Sequence, residues 1–174
     1  HLWDEKRQKF IPHIYPEKSP IPEGFDELAI HYHGGTAIAI EAGLLSKDEI
    51  RTVNAQMLEN VRLSGMPSIG LTLYPVYPDG FFHGGMSKAY LYQNGGDWTW
   101  FGGRMIQQLV VNGMVEEAYA EIHPMIERVI QNDGFYEWYG KGGVPSGSGN
   151  FKGSAGGLSK AIELLRDWAE KNKS

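Results

Sequence analysis

The chain has 174 residues, enough for one domain with a core of its own, and it contains no cysteine, which excludes disulfides, thiol nucleophiles and cysteine metal sites. Its formal net charge is -5 with no basic cluster, which argues against a nucleic-acid partner. No apolar run approaches the ~20 residues of a membrane span.

The chain opens at His1-Leu2-Trp3 without Met, so a processed chain or a piece of a larger protein is expected, and the lack of a signal peptide carries no information. Residues 2–15 read as two short extended pieces around a charged turn, with Trp3, Phe10, Ile11, Ile14 and Tyr15 as apolar positions. Pro16, Pro20 and Pro22 make a rigid connector. The spacing of Leu28, Ala29, Tyr32, Thr36, Ile40 and Leu44 predicts a helix from about Phe25 to Leu45, interrupted at Gly34-Gly35. Ser46 with Glu49 three residues on is a capping box. The helix it starts carries Ile50, Val53, Met57, Leu58 and Val61 on one face, and Gly65 with Pro67 ends it. Residues 68–92 read as loop, with Tyr74-Pro75 and Tyr77-Pro78-Asp79-Gly80 as turns.

A helix is expected from about Trp98 to Asn112, stopped by Gly113. Another follows from Val115 to about Gln131, with Pro124 predicted to kink or split it. A last helix runs from Ser154 to about Glu170, with Leu158, Ala161, Ile162, Leu165 and Trp168 inward. Gly-Gly pairs at 34–35, 95–96 and 156–157 recur with a spacing of 61 residues, 95 − 34 and 156 − 95. Each pair joins a polar or aromatic loop to an apolar helix, the sign of a repeated helical hairpin. The three inner helix starts are then expected to gather at one end. Three hairpins make half a ring and leave an open apolar flank.

One stretch carries the chemistry. In Gly134–Gly157 a single carboxylate, Glu137, stands among Phe135, Tyr136, Trp138 and Tyr139, ahead of a Gly/Ser-rich run. Aromatic faces stack on sugar rings, and a partly desolvated carboxylate moves protons near neutral pH, so the stretch suits a neutral polyhydroxylated ligand. The alternative is an exposed loop with scattered aromatics.

Three motifs add a resemblance. Tyr92-Gln-Asn-Gly-Gly-Asp-Trp-Thr-Trp100, Gly134-Phe-Tyr-Glu-Trp-Tyr139 and Gly147-Ser-Gly-Asn-Phe-Lys-Gly-Ser-Ala155 resemble, in order and spacing, the C-terminal half of six-hairpin (α/α)6-toroid glycosidases of the glycogen-debranching-like and processing α-glucosidase-like group. The likeness covers residues 70–170 well and the first third loosely. It implies an all-α fold: helical hairpins of an incomplete (α/α)6 toroid with a short β-hairpin and long Gly/aromatic loops. Residues 1–174 are then one domain, the C-terminal half of a larger catalytic domain. The implied activity is inverting hydrolysis of α-linked glucosides or related oligosaccharides, with Glu137 as general base and the general acid in an upstream segment. The implied partners are an oligosaccharide and either the N-terminal half or another copy of the chain, with no cofactor, metal, nucleic acid or membrane. Gly140 departs from the family, where Asp is usual, which bears on how Glu137 is oriented.

By the same resemblance Asp97 is a hydrogen-bonding group for the sugar, an N-cap for the Trp98 helix or, less readily, the acid. Trp98, Trp100, Tyr92, Tyr136 and Trp138 stack on sugar or pack in the core. Arg104 holds a sugar group or makes an interhelical salt bridge. His31, His33 and His83 lack a diagnostic metal spacing, and no phosphate loop or nucleophile elbow is present. Two other readings remain: a non-catalytic saccharide-binding scaffold, and a sugar epimerase using His31 or His33 with His83 or His123.

Overall fold

In the computed structural model, which describes residues 2–173, five α-helices make up most of the regular structure, with three two-residue strand pairs outside them. The architecture is therefore helical with small strand hairpins, broader than the all-α class expected from the sequence.

Strands β1 (Trp3–Asp4) and β2 (Lys9–Phe10) pair antiparallel around the predicted charged turn. Asp4 Oδ1 accepts the Lys6 and Arg7 amides at 3.0 Å each, the way an aspartate closes its own turn. The Pro-rich connector leads to a 3-10 turn at Glu27–Ala29 and to β3 (His31–Tyr32). Helix α1 starts only at His33 and ends at Glu41, so the helix expected from Phe25 is absent over its first third. The reason is long-range. Residues 31–32 pair with β4 (Leu73–Tyr74), and His33 N donates to Thr72 O at 2.9 Å. Leu28 and Leu44, assigned to the buried side by periodicity, are 42 % and 69 % exposed.

Helix α2 (Lys47–Ser64) follows its sequence signals closely. Ser46 Oγ accepts Glu49 N–H, and Ser46 N donates to Glu49 Oε2 at 2.7 Å. Such a cap contributes about 1 kcal/mol. Gly65 ends the helix at φ 69°, where a side chain would be strained. Ile50, Val53 and Met57 are buried, and each contributes roughly 1.5–3 kcal/mol by leaving water.

Helix α3 (Thr99–Val111) is the hub, packed against α1, α4 and α5. Helix α4 (Val115–Gln131) is one element through Pro124 rather than two. The proline leaves only the Ala120 carbonyl without its donor. Helix α5 (Lys152–Lys171) begins a turn's fraction before Ser154. Leu158 and Ala161 face the core as expected, whereas Ile162 and Trp168 are each 44 % exposed. Those two side chains line a groove with Tyr119, Ile122 and Ile126 of α4 instead.

The glycine pairs serve close packing, and their equivalence differs from the 61-residue period. Gly34-Gly35, Gly102-Gly103 and Gly156-Gly157 lie inside α1, α3 and α5, whereas Gly95-Gly96 lies in the loop before α3. A Cβ on Gly103 would come within 2.7 Å of the Gly157 carbonyl carbon, so α3 and α5 touch backbone to backbone.

The starts of α1, α3 and α5 are tied together by one ribbon of backbone hydrogen bonds. Thr72 N donates to Gly96 O at 2.9 Å, and Trp98 N to Gly70 O at 2.7 Å. Asp97 and Tyr139 exchange bonds of 2.9 and 2.8 Å. Strand β5 (Trp138–Tyr139) pairs with β6 (Pro145–Ser146), and Phe151 N donates to Phe135 O at 2.8 Å. The ribbon carries all three motif loops.

Candidate functional site

Glu137 sits where this ribbon meets the start of α5. Its backbone N donates to Ser148 O at 2.9 Å, which fixes the residue against the Gly/Ser-rich run. The half-buried carboxylate is held loosely: Tyr92 Oη donates to Oε1 and Ser148 N to Oε2, both at 3.4 Å. Bonds of that length leave most of its acceptor capacity for a ligand or water. Gly147 makes the placement possible. At φ +72° it takes a backbone conformation that disfavours side chains, and a Cβ there would lie 2.4 Å from Glu137 Oε2.

Tyr92 completes the acidic corner. It is a non-glycine residue at φ 51°, a strained conformation of the kind that collects at functional sites. Burial, the Glu137 charge and the bond to Glu137 together push its hydroxyl pKa up, so it stays a donor. Its ring meets Trp98 edge-on at 4.9 Å and Trp138 at 6.2 Å. Trp98 Nε1 donates to Tyr92 O at 3.2 Å. Tyr92, Trp138 and Tyr136 are half-buried and keep ring surface at the rim.

Two expected ligand contacts are redirected by burial. Asp97 is 0 % exposed, with Arg128 Nη2 at 2.8 Å from Oδ1 and Ser68 Oγ at 2.7 Å from Oδ2. It is neither a contact open to a sugar nor a cap. The N-cap of α3 is Trp98, without a side-chain bond. Trp98 is 3 % exposed and forms the floor under Tyr92 and Phe151 rather than a stacking face. Arg128 also donates to Thr99 Oγ1 at 2.7 Å and lies 4.1 Å over the Tyr139 ring. The cluster locks the α3 start, α4 and β5 together beneath Glu137.

Arg104 makes the interhelical pair, Nη1 to Glu41 Oε2 at 2.5 Å, and lies 5.2 Å over Trp100. Both line a cleft with Gln107, Lys152 and Lys160 among α1, α3 and α5. His31 and His33 are buried beside β2 and α2, while His83 and His123 are exposed on other segments. They do not form the facing pair an epimerase needs. Among the described residues no group of three or more His, Asp or Glu side chains comes together to hold a metal ion, and no helix is long and apolar enough to cross a membrane.

Arg128 and Ser68 are not marked by the sequence, whereas Gly147 opens the third motif and its place before Ser148-Gly149 is a turn signal. Nothing local to Arg128 or Ser68 marks either as a partner of Asp97. A second carboxylate also lies outside the motifs. Burial pushes the Glu27 pKa up, but hydrogen bonds from Tyr77, His13 and Tyr15 at 2.7–2.8 Å outweigh it and leave the carboxyl below its ordinary range. No family model matches this chain, and no curated protein matches it.

Proposed function

We propose that this chain carries the general-base half of an inverting glycoside hydrolase acting on α-linked glucosides or related oligosaccharides. The observation that supports it best is the Glu137 corner. A loosely bonded carboxylate stands beside a tyrosine hydroxyl and aromatic faces, on a ribbon that joins three helix starts. In the proposed step Glu137 takes a proton from water as the water oxygen attacks the anomeric carbon. The glycosidic C–O bond breaks and the leaving oxygen gains a proton from an acid. Asp97 is buried in an ion pair and does not serve as that acid, so the acid comes from further hairpins.

The reading extends to the fold. The helices α1, α3 and α5 would be inner and α2 and α4 outer helices of an (α/α)6 toroid, in a larger catalytic domain. The α4/α5 groove, with Tyr119 61 % exposed and Trp168 44 %, supports a flank closed by the other half of that ring or by another copy.

The burial of Asp97 also favours a second reading, a saccharide-binding scaffold without turnover. Proton NMR of the chain with α-glucosyl fluoride, whose leaving group needs no acid, separates them. Release of the inverted sugar supports the hydrolase. Broadening of the signals of an α-linked disaccharide with no release from the fluoride supports the scaffold, and neither effect contradicts both.

A further inference from the structure

A second polar cavity lies away from the Glu137 corner, between the N-terminal hairpin and α2. It measures about 240 Å3 and is lined by Arg7, Lys9, Ala29, His31, Gln56 and Asn60. Lys9 is only 5 % exposed. It belongs to none of the ion pairs among the described residues. An ammonium carries three donors, and among the described residues the one acceptor it meets is the Ile30 carbonyl. A buried cation without a counter-charge is strongly unfavourable.

Asp26 and Asp4 act on the Lys9 charge from a distance and oppose the fall of its pKa, but neither pairs with it. Asp4, the carboxylate of the same hairpin, is committed to the Arg7 guanidinium at 2.8 Å and to two backbone amides. His31 is driven down to about 4 by burial and by the Lys9 charge, so it is neutral at pH 7. Burial, with the Arg7 charge, likewise lowers Lys9 to about 8. Asn60 Nδ2 is 3.1 Å from His33 Nε2, and Gln56 gives its amide N–H to Arg7 O. Gln56 Oε1 is buried without a donor. The cavity thus offers one unpaired ammonium, a guanidinium that also holds Asp4, no carboxylate lining and one unanswered acceptor.

We propose that this cavity binds a small oxyanion, a phosphate or carboxylate group, between the Lys9 ammonium and the Arg7 guanidinium. Its oxygens take the open Lys9 donors, and the fork of Arg7 closes the more exposed side. The unanswered Gln56 acceptor favours an oxyanion that also bears a hydroxyl, such as monohydrogen phosphate or a 2-hydroxy acid. The volume fits such a group and is below the usual range for a nucleotide-sized ligand.

The test is thermal unfolding of the chain at pH 7 in sodium phosphate, lactate or acetate, against chloride at matched ionic strength. A ligand that binds the folded state raises the midpoint in a saturable way. The expected result is a rise with phosphate or lactate. Lys9→Met and Arg7→Gln should weaken the apparent affinity by about tenfold or more, the loss of one charge-assisted hydrogen bond. Phosphate alone acting points to a phosphoryl group. Lactate and acetate acting as well points to carboxylates. No rise above chloride, or the same rise in both variants, overturns the proposal. Should Lys9→Met not fold, an NMR titration of the wild-type Lys9 Cε signals decides. The anion raises the Lys9 pKa if it binds there, and an unchanged pKa overturns the site.

Discussion

Asp97 and Glu137 are both acids in motif loops, and their surroundings give them opposite work. Asp97 is sealed against Arg128, which is itself 4 % exposed. Removing one partner strands a buried charge, so Asp97→Ala should cost about 3–5 kcal/mol in urea unfolding. A cost under about 1 kcal/mol would show that the pair is not what holds the ribbon to α4. Glu137 makes only long hydrogen bonds, so Glu137→Gln should change stability by no more than about 0.5 kcal/mol. Gly147→Ala should lose saccharide binding together with about 1–3 kcal/mol of stability, because the new methyl meets the Glu137 side chain. Titration with the best-bound disaccharide checks the first effect and urea melts the second. The sequence marked both acids by motif but could not tell them apart. Burial of Asp97 depends on Arg128, 31 residues on, and on Ser68, 29 residues back, and neither distance leaves a local pattern.

Elements whose signals are local came out of the sequence nearly intact. The Ser46 box and Gly65 bound α2 because capping groups sit within four residues of what they cap. The start of α1 was illegible because strand pairing with residues 73–74 overrides the helical periodicity of 25–32. The glycine repeat was visible but its register was not, since Gly103 is required by the approach of Gly157. Gly103→Ala should therefore cost about 1–3 kcal/mol despite the better helix propensity of alanine, and a thermally stabilised variant would contradict the backbone contact.

Helices α2 and α4 meet at a second informative pair. Asn54 Nδ2 donates to Glu121 Oε1 at 2.7 Å, while Asn54 Oδ1 and Glu121 Oε2 are buried without partners. A proton on Glu121 removes the buried charge and turns one carboxyl oxygen into a donor. Burial, with the charge of Glu117 adding to it and the Asn54 bond opposing it, raises the Glu121 pKa from 4.5 to about 7. Arg51, one turn from Asn54 on α2, is turned to Asp48. The folded state therefore holds the proton more tightly than the unfolded one. Its stabilising contribution is whole below about pH 4.5 and fades as pH rises through about 7, by roughly 3 kcal/mol in all. Glu121→Gln, whose amide donates permanently, should flatten this dependence and exceed the parent in stability at pH 8. Parallel pH profiles for the two chains would contradict it.

Across the whole molecule the extended pieces matter more than their size implies. They tie the ends of α1, α3 and α5 into one rim, where Glu137, Tyr92 and Trp138 meet. The helix order, the loop positions and the aromatic surroundings of Glu137 were readable from the sequence. The exposed Ile162 and Trp168 were not, because a periodic apolar face reads the same whether its cover is within the chain or outside it.

The central claim is that Glu137 activates water. Hydrolysis of α-glucosyl fluoride tests it most directly, because fluoride leaves without a proton from an acid. In the proposed step water attacks the anomeric carbon, the C–F bond breaks and the water proton passes to Glu137. Followed by proton NMR, the account predicts that β-glucose appears first and that Glu137→Gln slows its release by about 10²–10⁴-fold. No release, α-glucose appearing first, or an equal rate in the variant would contradict it.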